Sequence, residues 1–267
     1  MTVNEEELRR KKDEGERVTV LTAYDALVAE IADGAGVDVL LVGDSMGNVR
    51  LGHDSTLPVG LEESLSASGA VARGADRAMV VGDMPFGSYG GSVERSFDNA
   101  SRYLERGANA VKLETPVGGE VTVDLAARLT ELGVPVMGHT GLTPQHVNRR
   151  GYGVRGREDA DALLDTARRL DDAGVFSLVL ESVPEDVGRR VTEEVSAPTI
   201  GIGAGRHVDG QVLVTEDLLG LTERAPSFAR RYADLRSTVA DACEAYVEDV
   251  RAGEFPSEDE VFDAVDD

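Results

Sequence analysis

VDVLLVGDS (37–45) is an apolar run that ends on an acid, and the same form returns in AMVVGDMPF (78–86), AVKLE (110–114) and SLVLESV (177–183). Apolar runs of this length read as buried strands. A charged residue at the end of such a strand is not ordinary core, because burying an unpaired charge is costly. Asp44, Asp83, Glu114 and Glu181 occupy those ends. If parallel strands deliver them to one end of a sheet, they share a space. There they can hold a hard divalent cation or exchange protons with a substrate. The pattern makes an enzyme the first expectation.

Working outward, further strands are predicted at VTVLTAY (18–24), VPVMGHT (134–140), APTIGIGA (197–204) and QVLVTEDL (211–218). Amphipathic stretches such as LEESLSASGAVARGA and VERSFDNASRYLERGA separate most of the strands, and several end in glycine, the usual helix stop. Eight strands with intervening helices predict an α/β fold, a (β/α)₈ TIM barrel, with a doubly wound sheet as the alternative. The link between strands seven and eight is too short for a helix. The chain reads as a single barrel domain over 1–267, with an N-terminal helix at about 4–13. A long C-terminal helix and an acidic tail at about 254–267 close it. No linker or internal repeat interrupts the βα units.

The 267 residues carry 50 acids against 27 bases, a formal charge of −23. Such a surface repels nucleic acid and anionic membrane, so neither is an expected partner. Lysine is nearly absent: only Lys11, Lys12 and Lys112 occur. An acidic, lysine-poor chain suggests a halophilic setting, because near molar salt the Debye length falls to roughly 3 Å and self-repulsion is screened. Against that background Lys112, inside a strand, marks a place that needs an ammonium. The lone Cys243 cannot form an intrachain disulfide and fits a reducing compartment. It lies beside the stripe Tyr232, Leu235, Val239, Ala242, Tyr246 and is expected to be a small core residue. The charged opening NEEELRRKKDEGE is no signal peptide, and no apolar stretch approaches a membrane span, so the expected location is cytoplasmic.

In a barrel the C-terminal strand ends line the active site. Lys112 and Glu114 are two apart and share a side of their strand. Alone they could be a structural ion pair, but one lysine cannot neutralise three acids, whereas a divalent cation can. Oxygen ligands with little histidine and no nearby cysteine favour Mg²⁺ over Zn²⁺. Glu181 follows an apolar run, a setting that raises a carboxyl pKa and suits a general base. The plainer reading is a favourable charge at the start of the next helix. His139 is either a substrate ligand or a core hydrogen-bonding group. GIGAG (201–205) invites a phosphate-loop reading, although a tight strand exit explains it better. HDSTLPVG (53–60) is a candidate lid or an ordinary turn.

Taken in order, LTAYDALVA, VGDSMGN, LGHDSTLPV, GDMPFGSY, VKLE, GHTGLTPQ, LVLESVP and GIGAGRHVDGQVLV resemble the ketopantoate hydroxymethyltransferase family over about residues 18 to 235. The resemblance implies a (β/α)₈ barrel that binds Mg²⁺. It implies transfer of a hydroxymethyl group to 3-methyl-2-oxobutanoate through a metal-stabilised enolate, giving 2-dehydropantoate for pantothenate and coenzyme A biosynthesis. The one-carbon donor implied is 5,10-methylenetetrahydrofolate or a related reduced pterin. Carried over by position, Asp44 and Asp83 are the direct metal ligands and Glu114 completes the metal site. Asp44, Ser45, Asp83 and Lys112 match the positions that contact the 2-oxo acid, and Glu181 matches the proton acceptor. The family also implies a ring-like homo-oligomer, with a decamer as the candidate size. Two loops depart from its pattern: Thr115, Pro116 and Val117 precede the glycine pair, and RGYGVRGR stands for GGYKVQGR. The rival enzyme class is another Mg²⁺-dependent 2-oxo-acid barrel of the phosphoenolpyruvate mutase and isocitrate lyase type. A barrel that binds a metabolite without catalysis is the rival outside enzymes.

Overall fold

In the computed structural model, which describes residues 2–150 and 157–262, eight parallel strands close into a barrel in chain order. They are β1 (Val18–Thr22), β2 (Val39–Val42), β3 (Met79–Asp83), β4 (Ala110–Glu114), β5 (Val136–Gly141), β6 (Ser177–Glu181), β7 (Thr199–Ile202) and β8 (Gly210–Leu213). Each expected strand is present, and β7 and β8 are joined without a helix. The helices are α1 (Glu5–Glu14), α2 (Ala26–Gly34), α3 (Met46–Val49), α4 (Leu61–Gly74), α5 (Val93–Glu105) and α6 (Glu120–Glu131). After β5 come α7 (Val147–Arg150), α8 (Ala160–Asp172), α9 (Glu185–Glu194), α10 (Thr215–Leu218) and α11 (Leu235–Ala252). The polar residues ahead of three helices start them: Asn4, Asp25 and Ser92 each accept a hydrogen bond from a first-turn backbone amide. The loop around Tyr152 lies outside the described residues.

The period-two alternation of each strand sorts its residues into two cores. Val39 and Leu41 of β2, Met79 and Val81 of β3, Ala110, Met137, Val179 and Ile200 fill the barrel interior. Leu40, Val42, Val80, Val111, Leu113 and Leu178 face outward onto Leu65, Tyr103, Leu129 and Leu170 of the surrounding helices. The interior is thus packed rather than open, as barrels of this size require.

All three lysines are engaged. The helix α1 closes the N-terminal end of the barrel, where Val3 and the fully buried Leu8 join the interior core. Lys11 reaches Asp38 at 3.0 Å and Lys12 reaches Asp209 at 3.0 Å. Lys12 also donates to the carbonyls of Thr192 and Ala197, each at 3.1 Å. An internal ammonium is therefore not peculiar to Lys112. Each of the three lysines reaches a largely buried acid. Lys11→Met should lower stability by about 1.5–3 kcal/mol, the worth of a hydrogen bond to a charged group. Urea unfolding at high KCl measures this; a change too small to resolve would mean that Thr19 and Arg77, the other partners of Asp38, suffice.

By internal packing the chain divides into two units, residues 1–215 and 216–267. In the second, α11 is ended by Gly253 with φ +74, and Tyr246 meets Phe255 edge-on at 5.6 Å. No residue of α11 is buried, and Cys243 is exposed. The expected core role of Cys243 fails because the apolar stripe beside it stays uncovered: Tyr232, Val239 and Tyr246 are 64%, 47% and 57% exposed. No helix among the described residues is long and apolar enough to cross a membrane.

Candidate active site

The strand register brings the polar residues together at the C-terminal end of the barrel. Asp83 lies opposite Lys112, Glu114 opposite His139, and Gly141 opposite Glu181. Asp83 continues the inward parity of Met79 and Val81, while Lys112 and Glu114 continue that of Ala110. Asp44 does not follow this rule. It stands two residues past the end of β2, at the outward parity, and reaches the site because the chain has left the strand. Close packing also shapes the approach. A side chain on Gly82 would strike the ring of Tyr103, whose hydroxyl donates to the Asp83 carbonyl at 3.0 Å. Ser182, directly after Glu181, holds φ +51 and is the only described non-glycine residue in the left-handed region. Such strain costs roughly 1–2 kcal/mol and tends to collect at functional sites.

Asp44, Asp83, Lys112, Glu114 and His139 are all at least 95% buried. Lys112 Nζ donates to Asp83 Oδ2 at 2.5 Å, while Asp83 Oδ1 is buried without a partner. Asp44 Oδ2 accepts from Gln145 Nε2 at 2.9 Å, and Glu114 Oε2 from the Gln145 amide at 3.0 Å. The His139 ring stands between two acids, with Nδ1 3.7 Å from Glu114 Oε1 and Nε2 3.3 Å from Glu181 Oε2. Glu181 is the most accessible of these acids, its side chain 19% exposed. Ser45 Oγ shares a hydrogen bond with the Tyr24 hydroxyl at 2.9 Å.

Negative charge is in excess here, with one ammonium for the three buried carboxylates. Burial pushes Asp83 up to about 8; Lys112 pulls against the rise, and Asp44 and Glu114 add to it. Burial likewise raises Glu114 to about 8; Asp44 adds to the rise and Lys112 opposes it. It lifts Glu181 to about 7, opposed by Lys112. His139 is driven down to about 4, first by burial and then by Lys112, so its imidazole is neutral. For Lys112, burial works against the charge, but Asp83, Glu114 and Asp44 outweigh it and its pKa rises.

Among the described residues, no three His, Cys, Asp or Glu side chains stand close enough to form a ready-made metal cage. The carboxylates nevertheless fit a hard cation. Each has one oxygen committed to a protein donor or, as Asp83 Oδ1, left over and buried. With all three acids ionised, a dication would balance the two charges that Lys112 leaves unpaired and offset the burial that raises Asp83 and Glu114, and these all-oxygen donors suit Mg²⁺.

The residues singled out in the sequence thus meet at one end of the barrel. Tyr24, Tyr89 and Gln145 join them without having been singled out. They lie inside LTAYDALVA, GDMPFGSY and GHTGLTPQ, each a polar residue in the loop after an apolar strand, with nothing local to give it a role. In the loop 53–60 Thr56 and Val59 are buried, and a side chain on Gly47 would strike Val59. GIGAG is a tight strand exit, since side chains on Gly188 and Gly205 would collide with Ala204 and Glu185.

A family model described as ketopantoate hydroxymethyltransferase matches residues 2–258. A 3-methyl-2-oxobutanoate hydroxymethyltransferase from Haloarcula marismortui is 56% identical over 91% of this chain and 90% of its own length. One from Thermotoga neapolitana is 51% identical over 97% and 96%. In structure, the chain is similar to phosphonopyruvate hydrolase solved with oxalate and Mg²⁺, with a TM-score of 0.63 over 99% of this chain and 93% of the other. At 15% identity that likeness speaks for the barrel alone. With the family model spanning nearly its whole length and relatives identical at half their positions, the chain belongs to the ketopantoate hydroxymethyltransferase family.

Proposed function

We propose that this chain transfers a hydroxymethyl group from a 5,10-methylenetetrahydrofolate-type donor to 3-methyl-2-oxobutanoate, giving 2-dehydropantoate. The observation that carries the reading is Glu181. It is a partly accessible carboxyl raised to about 7, beside a buried acid cluster with one lysine. Asp44, Asp83 and Glu114 would hold Mg²⁺, which when bound polarises the substrate ketone and stabilises negative charge on its oxygen. Glu181 takes the proton from C3. The electron pair left on that carbon forms the new bond to the donor's methylene carbon. Water opens the donor's methylene bridge: both carbon–nitrogen bonds break, the two nitrogens take the water's protons, its oxygen stays on the carbon, and the alkoxide left after the carbon–carbon bond forms takes back the proton held by Glu181. Lys112 offsets the negative charge of the 2-oxo acid, and Ser45, aligned by Tyr24, offers it a hydroxyl. Neutral His139, with Nε2 3.3 Å from Glu181 Oε2, borders the base without adding a charge. Incubating the enzyme with 3-methyl-2-oxobutanoate, Mg²⁺ and either methylenetetrahydrofolate or its methanopterin counterpart tests the reading. Absence of 2-dehydropantoate with both donors would sink it. The rival reading, another Mg²⁺-dependent 2-oxo-acid barrel enzyme of the phosphoenolpyruvate mutase and isocitrate lyase type, rests on a fold likeness only and is not favoured.

The same reading extends to assembly and setting. The exposed apolar side chains on and beside α11, Tyr232, Val239 and Tyr246 among them, support a homo-oligomer, since large apolar groups left in water favour a partner. The single cysteine and the acidic surface support a reducing, salt-rich cytoplasm. At about 0.1 M salt the Debye length is roughly 10 Å, and near 1 M it shrinks to about 3 Å. The melting temperature and oligomer size should therefore both fall on dilution from molar KCl, and Mg²⁺ with substrate should partly protect. Thermal melts and light scattering across KCl concentrations check this. A melting temperature indifferent to salt would assign the acidic surface another cause.

A further inference from the structure

Gln145 follows β5 in a short 3₁₀ turn, Pro144–His146, and is 3% exposed. Its backbone N–H donates to Glu114 Oε2 at 3.0 Å. Its Nε2 donates to Asp44 Oδ2 at 2.9 Å and to the Met84 carbonyl at 3.0 Å. Its Oε1 accepts from the Tyr89 hydroxyl at 2.7 Å. Both amide protons and the amide oxygen are thus used. The flipped amide would set an oxygen against a carboxylate or a carbonyl, so the orientation is determined by its surroundings. One side chain ties together the segments that follow β2, β3 and β5, while its own amide holds the last residue of β4. Among the described residues, no other donor reaches the Asp44 carboxylate.

We infer that Gln145 is a positioning residue for the cation-holding carboxylates. It commits Asp44 Oδ2 and Glu114 Oε2 to protein donors, so that Asp44 Oδ1 and Glu114 Oε1 are the oxygens offered to the ion. Tyr89 acts through it by fixing which end of the amide faces Asp44. The inference rests on the proposed reading of these acids as an Mg²⁺ site. Two of its four bonds go to acids in a region already overcharged: the backbone N–H's to Glu114, and the side-chain amide's to Asp44, which a space-filling residue would not supply. Those two bonds stabilise the carboxylates as anions, the form a metal ligand needs.

Gln145→Met keeps length, volume and the backbone N–H to Glu114 but removes the side-chain amide that donates to Asp44 and Met84, and Tyr89→Phe removes the group that orients that amide. Magnesium titration calorimetry on the full chain, without substrate, should show Kd raised about 10–100-fold in Gln145→Met, the usual cost of losing a ligand's hydrogen-bond partner. Tyr89→Phe should weaken binding less. The double variant should fall well short of the product of the two effects, because one residue works through the other. Melting curves in EDTA and in Mg²⁺ separate positioning from packing: the Mg²⁺-induced rise should shrink in Gln145→Met. A melting temperature lowered equally in both buffers, with Kd within about twofold of the unmutated chain, would overturn the inference. Should Gln145→Met not fold, an unchanged Kd in Tyr89→Phe overturns it instead. If the unmutated chain itself shows no saturable Mg²⁺ binding, the metal reading fails, and the inference falls with it for that separate reason.

Discussion

Asp83→Asn is expected to abolish measurable Mg²⁺ binding and to lower turnover by at least about 10²-fold, since even the partners of metal ligands cost 10–100-fold when lost. Asp83 is the acid with the most at stake. One of its oxygens is held by Lys112 at 2.5 Å and the other is buried without a partner. Asparagine keeps the shape and can still accept from Lys112 through its carbonyl oxygen, but it removes the charge that a dication needs. Asp83→Ala is the poorer probe, because it strands a buried ammonium at a cost of about 3–5 kcal/mol and confounds binding with stability. Asp44→Asn should behave similarly, with Gln145 still reaching its carbonyl oxygen. Calorimetry and the dependence of rate on Mg²⁺ read both variants. Unchanged Mg²⁺ affinity in the two of them would remove the metal assignment.

Glu181→Gln should slow proton exchange at C3 of 3-methyl-2-oxobutanoate by about 10²–10⁴-fold, the usual contribution of a positioned general base. Substrate should still bind. The exchange, followed by NMR in D₂O with Mg²⁺ and no folate, isolates this step from the later carbon–carbon bond. The pH dependence carries a second signature. A base must be unprotonated to act, and burial lifts Glu181 to about 7. Exchange by the unmutated chain should therefore rise about tenfold per pH unit below 7 and level off above it. The variant should lose that inflection. Exchange at the original rate in Glu181→Gln would show that another group takes the proton.

Much of this was legible along the chain because the forces involved are local. Alternation at period two marks strands, amphipathic stretches mark helices, and an acid ending an apolar run marks a strand's functional end. Those signals yield the barrel. They also place Asp44, Asp83, Glu114 and Glu181 at one end of it and set Lys112 on the same side of β4 as Glu114. What they do not contain is partnership. Gln145 meets Asp44 across 101 residues and Tyr89 across 56, and Lys12 meets its carbonyl partners across 180 and 185.

Such contacts depend on the stagger at which eight strands close, and no window of sequence carries that stagger. Only the closed barrel set Asp83 against Lys112 and Glu114 against His139. Only the chain's departure from β2 turned Asp44, at the wrong parity, into the site. Burial was decided there too: the α11 stripe has the pattern of a core face, yet it remains exposed. By itself, then, the sequence determined the elements, their order and the acids at their ends, because propensity and periodicity act within a few turns of chain. The tertiary structure decided which groups touch and how their charges are shared, because hydrogen bonds and desolvation depend on distances that only closure sets.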